Sequence, residues 1–326
     1  MDIVQVAQRI ADDVLFPSAL ATDAGDVVPR ELLDALAGAG LYGVVAPQDA
    51  GGLGADFRTL CAVQEVLASG CLTTAFVWAQ HNGLVRALAE GGPAELTARW
   101  LAPLARGEVR AGVALAGQLP RPPLRARPDA GGWRLDGVAP FVSGWGRIDV
   151  IYVAARAGDE IVWLLVDAAE GPSVRAEGLK LAALNATATV RVTFDQLPVP
   201  AGRMVRRHPV SAGTAPEVLR LHAAFALGVT ARCGRMLGPS PLDAELASLR
   251  TELDRLGPGT AAARAAAGEL ALRAAAALMT TQGSRSLLVT EHGQRLAREA
   301  LFILVYALRP ASREALLARL GAPESG

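Results

Sequence analysis

Gly132-Trp133-Arg134-Leu135-Asp136-Gly137-Val138-Ala139-Pro140-Phe141-Val142-Ser143-Gly144 changes the rhythm of the chain. It opens on the turn pair Gly131-Gly132, and Trp133-Arg134-Leu135 alternates as a half-buried strand does. The runs Ile148 to Ala155 and Ile161 to Val166 follow in the same period, separated by the turn pair Gly158-Asp159. Thr187 to Phe194 alternates more clearly, with Thr187, Thr189, Arg191 and Thr193 on one side and Ala188, Val190, Val192 and Phe194 on the other. Short strands joined by glycine turns predict an antiparallel β-domain over about residues 110–205.

On both sides of this stretch the period is helical. Val4, Ala7, Ile10, Ala11 and Val14 recur at helical spacing, and Pro29 suits the first turn of a second helix that ends at Gly38 and Gly40. After the glycine loop Pro47 to Gly54, helices are expected over about 57–68, 74–89 and 93–104. Beyond the strands, residues 215–236, 242–256, 259–282 and 287–308 form four long apolar-periodic segments with short connections, the pattern of a bundle. The expected organisation is a mainly helical α+β chain: an N-terminal all-α domain (1–109), a middle β-domain (110–205) and a C-terminal four-helix bundle (206–326).

Composition narrows the function. The chain has 326 residues, 51% hydrophobic and 20% charged, enough for a large buried core. Its 32 basic and 32 acidic residues cancel, which argues against a nucleic-acid partner. Lys180 is the only lysine. The three cysteines Cys61, Cys71 and Cys233 have neither disulfide-framework nor metal-ligand spacing, so a reducing cytoplasm and no metal are expected. The start lacks the basic-then-apolar order of a signal peptide, and no uncharged apolar run is long enough for a membrane span. No Gly-x-Gly-x-x-Gly follows a strand, so a Rossmann site has no support.

Helices, then strands, then a helical bundle is an uncommon order, and the local sequence is similar to the acyl-CoA dehydrogenase family. Gly40-Leu41-Tyr42-Gly43-Val44-Val45-Ala46-Pro47 with Gly51-Gly52-Leu53-Gly54 resembles the family's N-terminal loop. Gly132 to Gly137 with Phe141-Val142-Ser143-Gly144 resembles its flavin-contacting strand region. Val192-Thr193-Phe194-Asp195-Gln196-Leu197-Pro198-Val199-Pro200 resembles the segment that closes the β-domain. The likeness runs in register from about residue 10 to 310. It implies a middle β-barrel, an FAD cofactor held between that domain and the bundle, and an acyl thioester stacked on the flavin.

Carried onto this sequence, the resemblance assigns Ser143 to the flavin N5 region and Phe141 to an aromatic plate beside the ring. A hydroxyl both donates and accepts hydrogen bonds, so it suits either redox state. Leu115, Ala116 and Gly117 fall on the flavin-edge loop, with Ala116 where a threonine is usual. Arg235 and Arg285 are the candidate phosphate partners. Ala79, Gln80, His81 and Tyr306 fall near the acyl pocket. Removing a weakly acidic α-proton calls for a carboxylate base. Arg298-Glu299-Ala300 and Tyr306 follow the family pattern, but Ala307 stands where that pattern has glutamate. The family's other location falls near Val218, which leaves its neighbour Glu217 as the candidate base.

Three functions are compatible with this reading. One is α,β-dehydrogenation of an acyl-CoA or acyl-carrier-protein thioester, with electrons passed to an electron-transfer flavoprotein or equivalent. Another is a flavin-dependent monooxygenase on the same fold. The third is a non-catalytic or partner-dependent subunit of a heteromeric dehydrogenase. A homo- or hetero-oligomer, dimer or tetramer, goes with each.

Overall fold

The computed structural model describes residues 2–211 and 213–322. The first third is helical: α1 (Ile3–Ile10), a π-helical segment (Ala11–Leu15), α2 (Phe16–Ala24), α3 (Arg30–Gly38), α4 (Phe57–Gly70), α5 (Leu72–Ala89) and α6 (Ala94–Ala105). Eight strands follow: β1 (Ala111–Ala114), β2 (Leu124–Asp129), β3 (Gly132–Val142), β4 (Val150–Ala157), β5 (Glu160–Asp167), β6 (Val174–Gly178), β7 (Val190–Pro200) and β8 (Met204–Pro209). The last third is α7 (Pro216–Leu237), α8 (Pro241–Leu253), α9 (Thr260–Gln282), α10 (His292–Val305) and α11 (Pro310–Arg319). The expected order of helices, strands and helices is observed.

The strands do not close into a barrel. They form one open sheet in the order β6-β7-β3-β2-β4-β5-β8, with β1 paired to β4 off this path. Nor is the sheet wholly antiparallel, because β1 and β2 both run parallel to β4. The physical reason lies in what covers the sheet. Val150 to Ala155 and Ile161 to Val166 are buried on every residue, not on alternate ones. One face packs on the sheet's own core, with Ile151, Val153, Val162 and Leu164. The other packs Tyr152, Ile161, Trp163 and Leu165 against Leu84, Val85 and Leu88 of α5. A helix layer thus supplies the second wall that a barrel would make from its own strands. The edge strands β6 and β8 carry Arg175, Glu177, Arg206, Arg207 and Pro209, which discourage further pairing.

Two further departures bear on the site. Strand β7 starts at Val190, and Asn185–Thr187 is a 3-10 turn rather than strand. Pro17 sits at the start of α2, directly after the π-helical turn, so the first helical stretch continues past it. That turn brings Asp12 onto Arg232 of α7. The largest core cluster joins the N-terminal helices to α7, α8, α9 and α10. No helix among the described residues is long and apolar enough to cross a membrane.

Candidate active-site cleft

A cavity of about 630 Å³ opens between the sheet, α5 and the end of α10. Val113, Leu115, Ala116, Ala139, Phe141 and Ser143 form its sheet-side wall. Leu181, Ala182, Ala183, Thr187 and Thr189 line it from the β6–β7 connection. Phe76 and Gln80 of α5 and Phe302, Tyr306 and Arg309 face them.

The sheet side is shaped by an irregularity in β3. The pairing of β3 with β7 shifts register between Ala139 and Val142. Pro140 has no N–H to give a ladder, so a bulge there is expected, and bulges re-aim side chains. Phe141 is accordingly 65% exposed on the cavity wall. Ser143 is buried, and its Oγ lies 2.7 Å from Thr189 Oγ1. The loop at Ala116–Gln118 is pressed onto β4 so closely that a Cβ on Gly117 would lie 2.5 Å from Ala155 Cα. Arg156 Nε donates to the Gly117 carbonyl at 3.2 Å and holds the loop in place.

The helical side is an aromatic cluster. Tyr306 packs edge-on to Phe76 at 4.9 Å and to His222 at 5.1 Å, and stacks on Phe302 at 5.4 Å. Burial pushes the Tyr306 phenol up to about 12, so it stays protonated and acts as a neutral hydrogen-bonding group. Arg264 is buried beneath and donates to the carbonyls of Ile303 at 2.8 Å and Tyr306 at 3.4 Å. A cation at carbonyls left open by the end of α10 complements the helix dipole. Arg298 forks onto Asp23 and Gln294.

Of the residues singled out by sequence, the fold gathers Leu115, Ala116, Phe141, Ser143, Gln80 and Tyr306 around the cavity, with Ala307 beside Tyr306. Gly117 lies just behind the wall. Ala79 packs into the helical core and does not line the cavity. His81 is also outside it. Its Nδ1 accepts from the Ala111 N–H at 3.1 Å, so the Nε2 proton is the one that meets the Leu104 carbonyl at 3.1 Å. The ring is a neutral bridge between α6 and β1. Arg235 donates to Ser69 Oγ at 2.8 Å, and Arg285 pairs with Glu291 at 2.6 Å on the surface. Glu217 lies in the first turn of α7, away from the cavity wall. No aspartate or glutamate lines the cavity among the described residues.

Thr187, Thr189, Phe302 and Arg309 also line the cavity and were not among the residues the sequence singled out. The alternation of the two threonines suggests one face of a strand, whereas they belong to a turn and loop. Arg298 belongs to the quoted Arg298-Glu299-Ala300 run but carries no signature of a place in the cavity, and Arg309 has no local signature.

A flavin suits these walls. Long apolar faces flank an aromatic plate and a few convergent polar groups, the usual character of a cofactor site. Arg309 Nε is buried with no hydrogen-bond partner, a free donor for an anionic or carbonyl oxygen. Ser143 offers a hydroxyl on the opposite wall.

Known proteins resemble this chain in sequence and in fold. Residues 1–108 match the family model described as "Acyl-CoA dehydrogenase, N-terminal domain". The butyryl-CoA dehydrogenase of Megasphaera elsdenii superposes with a TM-score of 0.83 at 18% identity, covering 98% of both chains. The chain as a whole has the acyl-CoA dehydrogenase fold. The solved structure "PigA with FAD and proline" superposes with a TM-score of 0.82 at 18% identity, over 98% of this chain and 97% of that one. Among curated acyl-CoA dehydrogenase relatives, benzylmalonyl-CoA dehydrogenase of Aromatoleum aromaticum is 27% identical over 68% of this chain and 62% of its own length. The amino sugar nitrososynthase RubN8 of Streptomyces rubradiris is 28% identical over 60% of this chain and 49% of its own length. The match therefore spans less than two thirds of either relative.

Proposed function

We propose that the chain is an FAD-dependent oxidoreductase that seats the isoalloxazine ring in the cleft between the sheet and α10. The observation that carries this reading is the cavity of about 630 Å³ that brings Phe141 and Ser143 opposite Gln80 and Tyr306. A bound flavin supplies the acceptor or donor of electrons. The protein's own work is positional. Phe141 flanks the ring, Ser143 and the loop around Ala116 meet its polar edge, and Arg309 offers a free N–H. Gln80 and Tyr306 take the acyl thioester, and the aromatic cluster excludes water from it. Three units, 1–109, 110–205 and 206–326, build the cleft in this reading. An electron-transfer partner and a second subunit belong to it as well.

Two chemistries on this site are separated by one feature. Dehydrogenation needs a base for the α-proton, and a positioned base contributes about 10²–10⁴-fold. Among the described residues the cavity wall carries no carboxylate, Ala307 has a methyl group where one is wanted, and Glu217 in the first turn of α7 does not line the cavity. This favours the monooxygenase reading, in which a separate reductase feeds the flavin and oxygen is the second substrate. In anaerobic mixing of the FAD-loaded protein with acyl-CoA thioesters, the flavin is expected to stay oxidised. The chemically reduced protein is expected to be reoxidised rapidly by oxygen. Bleaching by an acyl-CoA would reinstate dehydrogenation, and its loss in Glu217→Gln with flavin retained would make Glu217 the base.

A further inference from the structure

We propose that Thr187 and Thr189 lock the Ser143 hydroxyl as a hydrogen-bond acceptor toward the cavity, so that the site binds reduced flavin more tightly than oxidised flavin. This rests on the reading that a flavin occupies the cleft with its N5 edge at Ser143.

Three oxygen pairs form a chain behind the sheet-side wall. Thr187 Oγ1 lies 2.8 Å from the Leu184 carbonyl. Thr189 Oγ1 lies 2.7 Å from Thr187 Oγ1, and Ser143 Oγ lies 2.7 Å from Thr189 Oγ1. All three are buried contacts at full hydrogen-bond distance. Each hydroxyl has one proton and a carbonyl has none. Three protons must therefore fill three contacts, and only one arrangement does so. Thr187 donates to Leu184, Thr189 donates to Thr187, and Ser143 donates to Thr189. Reversing any link leaves two oxygens less than 3 Å apart with no proton between them, a buried polar repulsion without compensation. Ser143 Oγ is left with only lone pairs for the cavity.

The backbone holds this chain in place at a cost. Leu184 and Ala188 both adopt left-handed conformations, at φ 56° and 47°. Strain of this kind persists only where the surroundings over-determine it. Here the Gly144 N–H donates to the Thr187 carbonyl at 2.7 Å and the Trp145 N–H to the Ala188 carbonyl at 3.3 Å. The turn that carries the threonines is thereby tied to the turn that follows Ser143.

An oxidised flavin presents a bare lone pair at N5, which would face another acceptor. Two-electron reduction adds a proton to that nitrogen, and the resulting N–H finds Ser143 already turned to accept it. The threonines are positioning residues: neither needs to touch the ring.

The test is the midpoint potential of the FAD-loaded protein, with Thr187→Val and Thr187→Ser beside it. Without the Thr187 hydroxyl, Thr189 can donate to Ser143, which frees the Ser143 proton for oxidised flavin. The ratio of reduced to oxidised flavin affinity is expected to fall about tenfold in Thr187→Val, a drop of about 30 mV for a two-electron couple. Thr187→Ser should keep the wild-type potential. Thr189→Val removes the acceptor of the Ser143 proton and should shift the potential in the same direction, which covers the case that Thr187→Val does not fold. Adding Thr187→Val to Ser143→Ala should change nothing further. Equal potentials in wild type and both valine variants would overturn the lock while leaving the flavin reading intact. A protein that takes up no flavin would overturn both.

Discussion

Between pH 7 and pH 5 the fold is expected to lose several kcal/mol of stability through two histidines. Burial pushes His81 and His222 down from the ordinary 6.5 to about 3. His81 is held neutral because its Nδ1 must accept from the Ala111 N–H, leaving no place for a second proton. His222 lies against Tyr306 with the Arg264 and Arg309 guanidiniums disfavouring another positive charge. Both folded values are depressed, so the stability they contribute is present above 6.5 and is lost as pH falls from there toward the folded values. In that window the unfolded chain takes up protons that the folded chain refuses. The loss is about 1.4 kcal/mol per pH unit for each histidine, or ~2 kcal/mol each by pH 5. Against a total of about 5–15 kcal/mol this is a large fraction. Burial also pushes the Glu65 and Glu299 carboxyls up, and those groups oppose the loss as pH falls. The histidine share is therefore read from variants. Urea unfolding at several pH values should show a flatter acid limb in His81→Gln and flatter again in His81→Gln with His222→Gln. An acid limb of unchanged slope in both would show that these rings titrate normally.

The second large effect lies in α10. Arg295 and Glu299 are ion-paired one helical turn apart and are 1% and 2% exposed, the most deeply buried ion pair among the described residues. Arg295 Nε also donates to His292 Nδ1 at 3.3 Å, and His292 stacks on Phe16 at 4.1 Å. Arg295 Nη2 and Glu299 Oε2 find no further partner, so each charge depends on the other. Glu299→Leu is expected to cost about 3–5 kcal/mol, because it strands a guanidinium inside the helical core. Arg295→Met with Glu299→Leu should recover most of that, since two apolar side chains of similar volume replace the pair. The measurement is a double-mutant cycle from chemical denaturation. Additive losses in the double variant would show that the two charges do not depend on each other.

The sequence made the helix–strand–helix order legible because periodicity changes twice along the chain, at the first strands and after Pro209. It did not show that the sheet stays open. Ile148 to Ala155 and Ile161 to Val166 suggest alternation, yet Val150 to Ala155 and Ile161 to Val166 are apolar throughout, which is what strands covered on two faces require. The cleft was legible where the family resemblance placed a residue on a quoted motif, as with Ser143 in Phe141-Val142-Ser143-Gly144 or Tyr306 after Arg298-Glu299-Ala300. It was illegible where a group acts through distant partners. Arg264 meets the end of α10 across 39 positions of sequence, and Arg298 meets Asp23 across 275. The hydroxyl chain was hidden for a different reason. The left-handed Leu184 and Ala188 convert an apparent strand into a turn, and neither residue type favours that conformation.

The most direct test of the account is a titration of the purified chain with FAD, followed by absorbance and by the protein-to-flavin ratio after gel filtration. One FAD per chain is predicted, with binding abolished by Ala139→Trp, which would fill the sheet-side wall of the cavity. A chain that is folded at neutral pH yet retains no flavin, or that retains it equally with the tryptophan in place, would contradict the claim that this cleft is a flavin site.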